Sequence, residues 1–245
     1  ALVFDYAASW VTRIQPQGAD FAYAELVFRW YEAVRRRGVD VDIVPPGAPL
    51  GAYRAVLVPT LPILSAEAVA ALAAAGGPVL VGPRTGSREA DFGIPAGLPP
   101  GSLRALVDVT VAEVGSLRPG LSYPVSGAVE GAAERWFERL LPGAARVVAT
   151  ASRDGRDEPV VVAAGPLTYV AVWPDATLLG SLVRRLLDDA GIAATELPAG
   201  VRLRRRGDLV FAFNYGDAPF ALPDGVEPLL GAPTVPPQDL ACWRA

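Results

Sequence analysis

The 245-residue chain contains no histidine, no methionine and a single cysteine, Cys242. Each absence removes a class of chemistry. Without histidine there is no Ser-His-Asp or Cys-His nucleophile pair. The usual transition-metal ligand goes with it, and one thiolate cannot build a zinc site alone. A lone cysteine also rules out an internal disulfide, which is compatible with the cytosol. Lysine is missing too, so all 22 basic residues are arginine. With abundant Ala, Gly and Pro, that reads as the codon bias of a GC-rich genome. The missing methionine, with Ala1 at the head of an apolar strand, raises the expectation of a trimmed or excised chain.

Long apolar runs are also lacking. None reaches the roughly 18 residues that cross a bilayer; Ala66 to Ala75 is Ala-rich and too short. No basic leader precedes Ala1-Leu2-Val3-Phe4, so neither a membrane partner nor a signal peptide is expected, and the localisation expected is cytoplasmic. The net charge is −4. No basic stripe interleaves with aromatics, which argues against a nucleic-acid partner. Arg35-Arg36-Arg37 reads as a favourable cation set at a helix C-terminus, and Arg204-Arg205-Arg206 is equally short. What remains is a chain 51% apolar with charges throughout, enough for one large core or two smaller ones.

The first part alternates strand and helix. Ala1 to Phe4, Val39 to Val44, Ala55 to Val58 and Val79 to Val81 read as strands. Phe21 to Arg37 reads as a helix, with Leu26, Val27, Trp30, Tyr31 and Val34 on one face and Gly38 as its stop. Ser65 caps a second helix, Ala66 to Ala75, closed by Gly76-Gly77. This order argues for a parallel sheet with flanking helices. The segments Asp5 to Gly18 and Arg84 to Pro100 read as loops. A short helix follows at Ser102 to Val107, then strands at Asp108 to Val114, Val147 to Ala151, Val160 to Ala164 and Leu167 to Trp173. In Arg135 to Leu141, Trp136, Phe137, Leu140 and Leu141 suit a helix face. Ala176 to Ala190 is an amphipathic helix stopped by Gly191. Beyond the linker Leu197-Pro198-Ala199-Gly200 the pattern turns all-β: Val201 to Arg205, Leu209 to Tyr215, Pro219 to Leu222, Val226 to Leu230 and Leu240 to Arg244. Two domains are expected, an α/β domain over 1–196 and a small antiparallel β domain over 197–245.

Several motifs carry less chemistry than their spelling suggests. Val81-Gly82-Pro83-Arg84-Thr85-Gly86-Ser87 follows a strand but lacks both the Gly-Lys-Ser/Thr ending of a P-loop and G-x-G-x-x-G. A structural turn is the better reading. The loop after the first strand lacks the Ser/Thr run that holds a flavin phosphate. The strand-helix order is similar to the class I glutamine amidotransferase or flavodoxin-like fold. That enzyme needs a Cys elbow and a His; Cys242 sits near the C-terminus and reads as a small packing residue. Arg206-Gly207-Asp208 reads as a β-turn. No cofactor and no metal are expected.

The runs Leu2-Val3-Phe4-Asp5-Tyr6 to Trp10 and Ile14-Gln15-Pro16-Gln17-Gly18 resemble the trimerisation domain of family 42 glycoside hydrolases, the microbial β-galactosidases. So do Val41 to Gly47, Val79 to Ser87, and Asp91-Phe92-Gly93-Ile94-Pro95 to Leu98-Pro99-Pro100-Gly101. The resemblance returns in Leu178 to Ile192 and in Arg204 to Tyr215. In that family a strand carrying a Trp lies at Arg135 to Leu141, so a strand is expected there against the helical spacing. Ala7-Ala8 and Val11-Thr12-Arg13 depart from the more acidic and aromatic residues expected near Trp10.

The resemblance implies the rear part of a retaining β-galactosidase, whose two catalytic glutamates sit in a (β/α)8 barrel. The acid/base Glu there follows an Asn. Here the single Asn214 is followed by Tyr215, and a barrel needs about 250 residues alone. No catalytic residue is therefore expected in this chain. Its expected partners are itself, as a homotrimer, and the barrel of the same polypeptide. In a parallel α/β sheet, the loops after strands gather at one edge. Trp10, Gln15, Gln17, Arg84, Asp91 and Phe92 on those loops are the expected interface residues. The alternative is a free-standing flavodoxin-like domain binding a small molecule in the crevice at that edge.

Overall fold

The computed structural model describes residues 1–18 and 20–245. The chain divides into two compact units, 1–30 with 42–192, and 31–41 with 193–245.

The first unit opens with β1 (Leu2–Val3), α1 (Tyr6–Ile14) and α2 (Tyr23–Arg35), the last crossing the division at Trp30. Then come β2 (Ile43–Val44), β3 (Val56–Val58), α3 (Ala66–Ala73) and β4 (Val79–Val81). Strands β3 and β4 are both Val-Leu-Val and fully buried, as parallel strands covered on both faces must be. Gly82, just beyond β4, passes so close to the Pro59 carbonyl and the Trp30 ring that a Cβ would collide with both.

A 3-10 turn at Gly101–Ala105 leads to β5 (Thr110–Ser116), β6 (Ser122–Gly127), β7 (Gly131–Leu141), β8 (Arg146–Arg153), β9 (Arg156–Ala164), β10 (Leu167–Val170) and β11 (Val172–Pro174). Helix α4 (Ala176–Asp189) closes the unit, its N-terminus capped by Asp175. Among the described residues these eleven strands form one sheet, ordered β11-β7-β6-β8-β9-β10-β4-β3-β1-β2, with β5 also on β7.

The expected parallel sheet is therefore only half of the real one. Strands β2, β1, β3, β4 and β10 pair in parallel, and every other pairing is antiparallel. The cause is the connections. Parallel pairing needs a long crossover, and between β5 and β10 the chain offers tight turns instead. Asp154 and Gly155, at φ 51 and 74, join β8 to β9 as a two-residue hairpin.

Three further differences follow from local chemistry. The expected loop Asp5 to Gly18 contains α1: both Asp5 carboxylate oxygens accept amide bonds, from Ala7 and Ala8 at 3.0 and 3.1 Å. Strand β6 was hidden because Ser122-Tyr123-Pro124-Val125-Ser126-Gly127 buries only Val125. The expected strand Leu167 to Trp173 breaks at Ala171, where the chain changes partner from β9 and β4 to β7.

The second unit holds β12 (Val201–Arg206), β13 (Leu209–Asn214), β14 (Phe220–Ala221), β15 (Thr234–Val235) and β16 (Asp239–Arg244). The sheets are β12-β13-β16 and β14-β15, both antiparallel. Val226 to Leu230 forms only a bridge, from Leu230 to Cys242. Val210, Ala212, Leu222, Val235, Ala241 and Trp243 make its core. Asn214 is buried, and its Nδ2 faces the carbonyls of Ala218, Val235 and Pro236. The segment Tyr31 to Val41 is tied in by Arg35, whose buried guanidinium donates to Val39, Asp40 and the Leu203 carbonyl. Arg206-Gly207-Asp208 is the β12-β13 turn.

Candidate functional site

Strands β1 and β4 run in the same direction, so the segments after them leave at one edge of the first unit. Trp10 lies on α1, whose inward face is Ala8, Val11 and Thr12. The outward face carries Tyr6, Trp10 and Ile14, one helical turn apart and 70%, 59% and 66% exposed. Gln15 ends α1; its carbonyl accepts from Arg84 at 2.9 Å and its side chain accepts from Arg88. Gln17 is exposed with a left-handed φ of 48°. Asp91 is exposed, and its Oδ1 accepts the Gly93 amide at 2.8 Å, shaping the turn that leaves Phe92 partly exposed.

Arg84 does not fit the expected interface role. It is 1% exposed. Its guanidinium lies 4.7 Å from the Phe21 ring centre and 5.1 Å from that of Trp136. It donates to the Gln15 and Pro16 carbonyls. A cation so enclosed has no surface for a neighbour; it fastens the two segments after β1 and β4 to each other.

Under Arg84 lies a buried carboxyl that sequence reasoning missed. Glu138 on β7 accepts the Arg84 amide at 2.7 Å, Trp136 Nε1 at 3.1 Å and the Tyr169 hydroxyl at 2.6 Å. Burial pushes this carboxyl upward, against the pull of its three donors. The Tyr169 phenol is pushed well up by burial and by Glu138. Burial lowers Arg84 to about 10, and Arg88 nearby adds to the effect. The available signal was an acidic residue inside the apolar run Trp136 to Leu141, on the same strand face as Trp136. Thr85, in the segment after β4, donates to the Gly82 carbonyl and accepts the Leu61 amide. Cys242 is buried on β16 in the second unit. The cluster ties the segments after β1 and β4 to β7.

The family model described as the β-galactosidase trimerisation domain matches residues 1–193. The chain belongs to that family. A β-galactosidase from Thermus thermophilus is 45% identical over 250 residues, covering all of this chain and 38% of the relative. Among solved structures, the β-galactosidase from Marinomonas ef1 is 35% identical, with a TM-score of 0.94 over 99% of this chain and 37% of that one. The Halorubrum lacusprofundi β-galactosidase is also 35% identical, with a TM-score of 0.93 over 100% of this chain and 39% of that one. The family 42 resemblance read from the sequence therefore holds. The trimerisation domain and the small β sheets after it span about 38% of the curated relative's length. The relatives' mixed sheet with flanking helices is the architecture found here.

Proposed function

We propose that this chain is the non-catalytic assembly region of a cytoplasmic homotrimeric β-galactosidase. The remainder of the same polypeptide would supply a (β/α)8 barrel that hydrolyses terminal β-D-galactosides with retention. The finer fold reading is class I glutamine amidotransferase-like, and the division proposed is 1–196 and 197–245. Trp10, Gln15, Gln17, Asp91 and Phe92 are the proposed contact residues.

The observation that carries the reading is the outward stripe of α1. Tyr6, Trp10 and Ile14 form a continuous apolar ridge that the described residues leave exposed. On a soluble surface such a ridge favours burial against another chain. Ile94 and Leu98, also exposed, lie on the second loop.

Light scattering on a size-exclusion column tests this. The expected mass is near three times 25.6 kDa. Replacing Trp10 and Ile14 together by Ser should shift the chain to monomer while its melting temperature stays within a few degrees. Monomer at every concentration in the unaltered chain would overturn self-assembly by this region.

A further inference from the structure

The cavity beside Arg84 lies next to the proposed contact residues, with Gln17, Ile94 and Leu98 in its lining. It measures about 140 Å³. One wall carries Arg84, Ser87 and Arg88; Ile94, Leu98, Pro99, Val111 and Val114 supply apolar surface. Arg88 is 8% exposed and Ser87 7%. Arg88 uses Nε on Gln15 and Nη1 on the Ser87 carbonyl. Among the described residues, neither guanidinium has a carboxylate within 4.0 Å. Ser87 Oγ and Arg84 Nε are buried without a hydrogen-bond partner among the described residues.

Two enclosed guanidiniums side by side are costly unless an anion accompanies them. The neighbouring acids do not cancel them. Glu113, also on the lining, is paired with Arg139 at 2.8 Å. Glu138 faces the Arg84 amide and offers at most one negative charge against two positive ones. The wall keeps a net positive charge whichever form Glu138 takes.

We infer that this cavity is a binding site for a small monocarboxylate. Its carboxylate would take the Arg88 Nη2 donors and the Ser87 hydroxyl, with the enclosed Arg84 charge behind them, and its short apolar tail would lie along Leu98, Val111 and Val114. Charge and size select the class. A dianion would meet the buried Glu138, and about 140 Å³ is close to the roughly 150 Å³ that holds a benzene ring. Forked guanidinium donors suit a carboxylate.

The test is thermal unfolding and titration calorimetry of this chain with sodium acetate replacing sodium chloride at constant ionic strength, and acetamide as the uncharged control. Acetate at ten times its Kd should raise the melting temperature by about 3–6 °C, saturating at one site per chain. Acetamide should not raise it. Arg88→Gln should abolish the shift. If that variant does not fold, Ser87→Ala decides, with an expected threefold to tenfold loss of acetate affinity. An acetate effect that fails to saturate, matches acetamide, or survives in the folded variant would leave only a general solvent effect and overturn the site. Repeating the acetate titration on the variant with Trp10 and Ile14 replaced by Ser separates binding from assembly: the shift should persist in the monomer, and a shift confined to the trimer would overturn the site.

Discussion

At the scale of single residues, Glu138 is enclosed, with both carboxylate oxygens hydrogen-bonded. Three donors surround a fully enclosed carboxyl, yet burial dominates and its ionisation lies above the ordinary 4.5. The sign of the linkage follows. A carboxyl raised in the folded state stabilises the fold below its unfolded value, and that contribution is lost as pH rises through the native value. Glu138→Gln keeps the shape and removes the titration. Its urea midpoint relative to the unaltered chain should therefore rise between pH 5 and pH 8. A constant difference between the two proteins across that range would mean that Glu138 ionises in the fold as readily as in the unfolded chain. Arg84 depends on the same neighbourhood: its φ of 64° comes three residues after β4, and its amide is held by Glu138. Such a left-handed turn is tolerated because the surrounding contacts over-determine it.

At the scale of elements, α1 shows what the sequence hid. Tyr6 to Ile14 has nine residues, and its buried face is only Ala8, Val11 and Thr12. Tyr6, Trp10 and Ile14 recur at helical spacing, but they point outward and the segment is short, so it reads as a loop. The strongest local signal was Asp5, whose carboxylate caps two amides. Asp5→Ala should cost about 1 kcal/mol in chemical denaturation; no measurable loss would mean that packing alone holds the helix. The legible elements had the opposite property. Strands β3 and β4 are unbroken Val-Leu-Val, and α4 buries Leu178, Leu179, Leu182, Val183, Leu186 and Leu187 on one side. The meeting of the loops after β1 and β4 was legible from strand direction. The inward turn of Arg84 was not, because an arginine on a loop reads as solvated until Phe21, Trp136 and the Gln15 carbonyl are seen to enclose it. In the antiparallel half, β5, β8, β9 and β10 read as strands, whereas β6 has almost no apolar alternation and β7 carries helical spacing.

At the scale of the whole molecule, the division proposed at 196/197 places Tyr31 to Val41 apart from partners it uses. Arg35 is enclosed, and one of its acceptors is the Leu203 carbonyl. Asp40 accepts from the Arg204 guanidinium and the Arg205 amide. The Arg36 carbonyl accepts the Leu197 amide, and the Arg37 carbonyl accepts that of Thr195. A chain ended after Glu196 keeps the last turn of α2 and removes β12. Arg35 then loses an acceptor, and Asp40 loses the Arg204 and Arg205 donors. The melting midpoint should fall by about 5–10 °C, corresponding to a few kcal/mol in a chain of this size. Amides from Arg36 to Gly38 should exchange with solvent faster than in the full chain. An unchanged midpoint, with unchanged exchange at those amides, would show that Tyr31 to Val41 holds its conformation from α2 alone. The small β sheets would then be an appendage whose removal leaves the trimerisation domain intact.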